Sequence, residues 1–207
     1  MARQSAYPTA APFMPDALTI GALRDAVQHC EGCPLYASAT QAVFGEGTLS
    51  SDVMLVGEQP GDQEDRAGAP FVGPAGKVLD RALAEAGIDR RRAYVTNAVK
   101  HFKWRARGTR RIHDKPSWSE QMACRPWLEA ELALVKPRAL VLMGATAAQS
   151  LLGKDFRVTQ NRGVPLDSDL AELVTATIHP SAVLRGEDRE AMFEGLVADL
   201  RIVAQPD

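Results

Sequence analysis

The chain has 207 residues, with 24 Lys and Arg against 26 Asp and Glu and a formal net charge of −2. Its 45 % hydrophobic and 24 % charged residues match a single globular domain and exclude collagen-like, coiled-coil and wholly disordered chains. No run of roughly 18 apolar residues is present, so a membrane-spanning helix is excluded. Met1 to Pro15 is Ala/Pro-rich without the apolar core of a secretion signal, and residues 1–17 read as a disordered tail before one domain, 18–207. A cytoplasmic setting follows as the simplest expectation.

From Thr19 to Gln28 the spacing of Ile20, Leu23 and Val27 predicts a helix. Asp52 to Val56 is a short apolar run closed by Gly57, a buried strand. Gly57 to Pro74, with four Gly and three Pro, reads as one long loop. Lys77 to Ala86 is helical, with Gly87 as its cap. Ala93 to Val99 predicts a second strand, and a basic loop follows it. Ser117-Trp-Ser-Glu120 is a capping box that opens a helix to about Val135. Arg138 to Met143 is a third strand, handed by Gly144 to a helix ending near Gly153. Phe156 to Leu166 reads as a short hairpin, Leu173 to Ile178 as a fourth strand, and Asp188 to Val203 as the last helix. Strands alternating with helices predict a three-layer α/β/α domain around a mainly parallel four-stranded sheet.

Between Lys100 and Lys115 stand seven basic residues and one acid, a local charge of +6 on an otherwise acidic chain. Lys100, Arg107, Arg110 and Arg111 belong to this patch, and Phe102 and Trp104 are interleaved with it. The pattern suits phosphate contacts beside stacked bases, and equally a solvated loop. Three cysteines cannot close a set of disulfides. Cys30 and Cys33 form a C-x-x-C, and Cys124 follows 91 residues later, which points to metal or redox chemistry. On donor type alone, zinc on three thiolates and one histidine is the first choice.

Ligands in parallel sheets sit at the carboxyl ends of the strands. Here those ends carry Gly57-Glu58-Gln59-Pro60-Gly61-Asp62, then Asn97, then His179-Pro180-Ser181. Together with Pro70-Phe-Val-Gly-Pro-Ala-Gly76 and Thr96-Asn-Ala-Val-Lys100, these segments resemble the uracil-DNA glycosylase superfamily, and its family 4 in particular, from about Leu18 to Val203. Arg110-Arg-Ile-His113 resembles the hallmark loop of the UdgX subgroup, whose members excise uracil and stay covalently attached to the abasic sugar. The subgroup's preceding lysine is replaced here by Thr109.

The resemblance implies that Phe71 stacks on a flipped-out uracil, that Asn97 pairs with its N3–H and O4, and that Gly57 and Asp62 border the base. It implies that His179 donates to O2 as the anion leaves, and that Glu58 stabilises the sugar cation, directs water or takes a proton, with Gln59 as a relay. His113 becomes the nucleophile: a neutral N-alkyl imidazole is a poor leaving group, whereas a carboxylate would give a hydrolysable ester. Lys100, Arg107, Arg110, Arg111, Ser181, Leu184 and Arg185 become DNA contacts, with Arg110 and Arg111 tying the loop either to the phosphates or to Glu58. Family 4 implies a [4Fe–4S] cluster, here on Cys30, Cys33, His101 and Cys124, with His101 in place of a fourth cysteine and zinc as the alternative.

The expected function is therefore single-turnover uracil excision with covalent capture through His113. The expected partner is uracil-containing DNA, at least single-stranded, with free uracil as product. A monomer, nucleoid-associated when on DNA, is the expected form. A conventional multi-turnover glycosylase using water directed by Glu58 and a non-catalytic metal-containing DNA-binding module are the alternatives.

Overall fold

The computed structural model describes residues 9–204. Strands β1 (Val53–Gly57), β2 (Ala93–Asn97), β5 (Ala139–Met143) and β6 (Leu173–Thr177) form one sheet in the order β2-β1-β5-β6, and every pairing is parallel. The three-layer architecture follows from side-chain alternation. Val53 and Leu55 of β1, with Val141 of β5, enter the core under α3 (Pro74–Ala86) and α8 (Arg189–Ala204). Met54, Val56, Leu140 and Leu142 enter the opposite core under α4 (Trp118–Val135) and α5 (Ala145–Leu152). A third cluster packs α1 (Ile20–Val27) against Trp127 of α4, with Cys30, Cys33 and Cys124 inside it.

The chain runs from β1 to β2 on one side, then crosses to β5 on the other. That reversal leaves a crevice beyond the carboxyl ends of the strands. Ser117 and Glu120 make the capping box of α4, and Gly87 caps α3 with a φ of 81°.

Three expectations differ from the structure. The loop from Gly57 contains a helix, α2 (Asp62–Ala67), whose first turn holds Asp62, Glu64 and Asp65 beside its free N–H groups. The basic loop is an antiparallel hairpin of β3 (Trp104–Arg107) and β4 (Arg110–His113). Its two-residue turn starts at Gly108 with a φ of 60°, a conformation that glycine adopts without strain. The expected hairpin at 156–166 is instead a short helix, α6 (Val158–Asn161), followed by single bridges to β6. Of the expected tail 1–17, residues 1–8 lie outside the described residues, while Ala10 is buried and donates its N–H to the Ala123 carbonyl. Among the described residues no helix is long and apolar enough to cross a membrane.

Lys100, expected on the DNA surface, is fully buried and ion-paired with Glu131. Its ammonium also reaches Thr96 Oγ1 at 2.7 Å and the Asn97 carbonyl at 2.8 Å, while Glu131 accepts from Tyr94 and the Gly45 N–H. Truncating one member strands the other charge in the core. Lys100→Ala is expected to lower unfolding free energy by about 3–5 kcal/mol in urea titrations. The salt dependence of DNA binding is expected to stay unchanged.

Candidate active site

A cleft of about 590 Å³ opens at the rim, lined among others by Glu58, Phe71, Asn97, His113, Gly144 and His179. Its floor depends on Gly57. A Cβ there would stand 2.5 Å from Asn97 Oδ1, 2.6 Å from Phe71 Cζ and 3.3 Å from His179 Nε2. The three side chains therefore converge on the space that the missing side chain vacates. Asn97 is buried at the end of β2, and among the described residues no partner occupies its side-chain amide. Phe71 is held at a φ of 57°, strained for an aromatic residue, with its ring 6.1 Å from that of His179.

His179 ends the segment after β6 and caps α7 (Pro180–Arg185). Its Nδ1 accepts from the Ser181 N–H at 3.2 Å and lies 2.8 Å from Ser181 Oγ. Acceptance at Nδ1 places the proton of the neutral ring on Nε2, the nitrogen facing the cleft. Burial, with Arg185 and His113 nearby, lowers its pKa to about 4, so at neutral pH it is an uncharged donor. Ser181, expected on DNA, is occupied in orienting this ring.

The hairpin has two distinct faces. Cross-strand pairs put Trp104 with His113 and Ala106 with Arg111 on one face, and Arg105 with Ile112 and Arg107 with Arg110 on the other. The first face meets the body. Trp104 Nε1 donates to the Ser38 carbonyl at 2.9 Å, and Arg111 pairs with Asp62 at 2.5 Å and Asp65 at 2.6 Å. Arg111 anchors the hairpin to α2 with Asp62 and Asp65 as its counter-ions, and neither Arg111 nor Asp62 is among the residues lining the cleft.

His113 reaches the cleft from the end of β4, its Nε2 3.3 Å from Glu58 Oε1 and 3.0 Å from Gln59 Nε2. Gln59 is itself buried, accepts from the Lys103 N–H, and directs its amide hydrogens to the Lys103 and Asp114 carbonyls, each at 3.1 Å. With those two hydrogens occupied and Glu58 an acceptor only, a proton on His113 Nε2 satisfies the cluster. The other ring nitrogen keeps its lone pair. Burial holds the His113 pKa below its ordinary value against the pull of Glu58, so this imidazole is also neutral at pH 7.

Arg107 and Arg110 are exposed on the outer hairpin face, and Arg185 is exposed at the rim of the cleft. Leu184 is partly buried on α7 beside it. Glu64 and Lys115 line the cleft, although the sequence reading gave them no site role, and the buried Thr146, which does not line it, donates to Glu58. Thr146 follows β5, so the same strand-end rule pointed to it. Glu64 lines the cleft while accepting from the Gly61 and Gly73 N–H groups at 3.1 and 2.7 Å.

Cys30, Cys33, His101 and Cys124 are all buried. Trp127 Nε1 donates to Cys30 Sγ at 3.2 Å and the Lys100 N–H to Cys124 Sγ at 3.3 Å. Burial pushes the thiol of Cys33 up to about 11 and that of Cys124 to about 12, and the Cys30 sulfur nearby adds to both. Burial also lowers His101 to about 4. Buried thiols with N–H donors at sulfur suit an iron–sulfur or zinc site in donor type. Among the described residues, however, no three His, Cys, Asp or Glu side chains stand together in ligating geometry.

A histidine kept neutral by burial charges on unfolding. Below pH 6.5 the unfolded chain therefore binds a proton that the folded one refuses until about pH 4, and stability falls across that window. Urea titrations between pH 7 and 4 are expected to show this fall, and His179→Gln to make it shallower.

Residues 44–201 match the family model described as Uracil DNA glycosylase superfamily. The chain is 39 % identical over 165 residues to a type-4 uracil-DNA glycosylase of Thermotoga maritima, covering 79 % of this chain and 82 % of that one. It is 35 % identical over 170 residues to a type-4 uracil-DNA glycosylase of Pyrobaculum aerophilum, covering 79 % and 83 %. A third type-4 uracil-DNA glycosylase, from Sulfurisphaera tokodaii, is 33 % identical over 180 residues, covering 83 % and 79 %. With its rim, its cleft and these likenesses, the chain belongs to the uracil-DNA glycosylase superfamily and is similar to its type-4 members.

Proposed function

We propose that this protein cleaves the N-glycosidic bond of uracil in DNA and then stays attached to the sugar C1′ through His113, as in the UdgX subgroup. Excision rests on the relatives and the cleft together; capture rests on His113. The observation that carries capture is a neutral imidazole in the cleft with Glu58 Oε1 3.3 Å from its ring nitrogen.

A flipped uracil stacks on Phe71 and offers its N3–H and O4 to the Asn97 amide. Cytosine presents the reversed pattern and leaves both groups unpaired, at about 1–3 kcal/mol each. As the C1′–N1 bond breaks, the electron pair leaves with uracil, and His179 Nε2–H stabilises the charge at O2 without itself being charged. The unprotonated nitrogen of His113 bonds to C1′, and its other ring proton passes to Glu58. Neutral N-alkyl imidazole, protonated Glu58 and uracil anion balance the step.

We infer a [4Fe–4S] cluster on Cys30, Cys33, His101 and Cys124, with zinc as the alternative; either would tie the segment after α1 to both ends of the hairpin region. The outer hairpin face meets the DNA backbone. Arg105, Arg107 and Arg110 are exposed there, and no ion pair is formed by them among the described residues. Alternate residues on a strand stand roughly 6.6 Å apart, close to the phosphate spacing of an extended single strand.

Stoichiometric protein mixed with a labelled uracil-containing single strand, then boiled in denaturant, is expected to leave a protein–DNA band absent with thymine. His113→Ser is expected to abolish the band while uracil release continues. Alkali-labile DNA without a band would identify a conventional glycosylase with water directed by Glu58. No release of uracil would leave a DNA-binding module.

Replacing Arg105, Arg107 and Arg110 by Gln is expected to flatten the slope of log Kobs against log salt by about 2 on single-stranded DNA. An unchanged slope would remove the outer face from the DNA interface.

A further inference from the structure

Glu58 follows the last residue of β1, and its side chain is 23 % exposed, so packing alone does not fix its carboxylate. Two side chains do. Thr146 Oγ1 donates to Oε2, and His113 Nε2 stands at Oε1; among the described residues no other side chain bonds to this carboxylate. Thr146 is 1 % exposed in the first turn of α5. A threonine deeper in a helix turns its hydroxyl back to the carbonyl one turn earlier. At this position the preceding turn belongs to β5, and the hydroxyl is directed across to Glu58 instead. The branched Cβ leaves little rotamer freedom, so the donor's direction is set by the helix.

We propose that Thr146 is a positioning residue that divides the sugar between His113 and water. It acts by holding one Glu58 oxygen so that the other is aimed at the His113 ring. The inference rests on the capture reading above. In the capture step the C1′–N1 bond breaks toward uracil, the His113 nitrogen bonds to C1′, and the ring proton goes to Glu58 Oε1. In the competing step water bonds to C1′ and a water proton goes to the same carboxylate. A carboxylate held by Thr146 faces the imidazole; one released from it turns toward solvent in the open cleft and serves water.

The test counts two products in the same tube, uracil released and denaturant-resistant adduct, for the intact protein and the variants Thr146→Val and Thr146→Ser on a uracil-containing single strand. The unaltered protein is expected to form close to one adduct per uracil. Thr146→Val keeps the shape and loses the donor; its ratio of adduct to free abasic DNA is expected to fall about tenfold, the worth of one hydrogen bond to a charged group. Thr146→Ser restores the donor and is expected to restore the ratio. A rate loss from poorer packing would lower both products together and leave the ratio unmoved. Melting temperatures of the three proteins separate misfolding from misdirection, and Ser rescue is required in either case. A ratio unchanged in Thr146→Val, at any rate of uracil release, overturns the proposal and leaves capture standing. Uracil release with no adduct from the unaltered protein overturns capture, and this proposal with it.

Discussion

Arg111 is the fixed point of the site. A two-stranded hairpin buries too little to hold its own shape in water, and β3–β4 has no core beneath it. The Arg111 guanidinium, 14 % exposed, spans Asp62 and Asp65, and Asp65 is itself fully buried and bonded to Thr40. Ion pairs in such partly dry surroundings are not the interchangeable contacts of an open surface, because removing one partner leaves the other without solvent. The pair also sets register. Slipping β4 by one residue would turn Arg111 outward and His113 away from Glu58, since neighbouring residues on a strand face opposite ways. Trp104 at Ser38 and His113 at Glu58 and Gln59 complete a row of attachments along one face.

With that face occupied, the cationic side chains left over are those on the other. The local charge of +6 is thus divided by geometry. Lys100 neutralises Glu131 in the core, Lys103 pairs with Glu120 at 3.0 Å, Arg111 with the α2 acids, Lys115 lines the cleft, and Arg105, Arg107 and Arg110 stand out. Inside the cleft both imidazoles are neutral; Lys115 and Arg185 both line it, and Arg185 opposes protonation of either ring. In the proposed reaction, a permanent guanidinium near two neutral rings would offer positive potential to a leaving anion while sparing His113 the proton that would block its lone pair.

The sheet and its rim were legible in the sequence because buried parallel strands are short continuous apolar runs, and each ended in residues unsuited to a core. The hairpin was not legible. Its alternation sets Trp, Ala, Arg and His against three Arg and one Ile, so no apolar face marked a strand. The partners that decide Lys100 and Arg111 lie 31 and 46–49 residues away in sequence, beyond any local pattern. A lysine seen among six other cations reads as surface, and the buried carboxylate on α4 that claims it is visible only in the fold. Helix α2 was hidden by the prolines and glycines around it, although its three acids were a start signal.

The site divides into two parts with different supports. Phe71, Asn97 and His179 stand on the sheet and its flanking loops, on the space kept open by Gly57, and none of them bonds to the hairpin among the described residues. His113 stands on the hairpin, which is tied to α2, Gln59 and the residues after the cysteines. The residues proposed to act on the base therefore have their own rigid frame, and the proposed nucleophile stands on a separate one. Glu58 is the residue where the frames meet. It extends from the end of β1 with one oxygen toward each, held from the α5 side by Thr146 and facing His113 on the other. In the proposed capture, release and attachment would part at that carboxylate, because the residues proposed to recognise the base are the same for both outcomes.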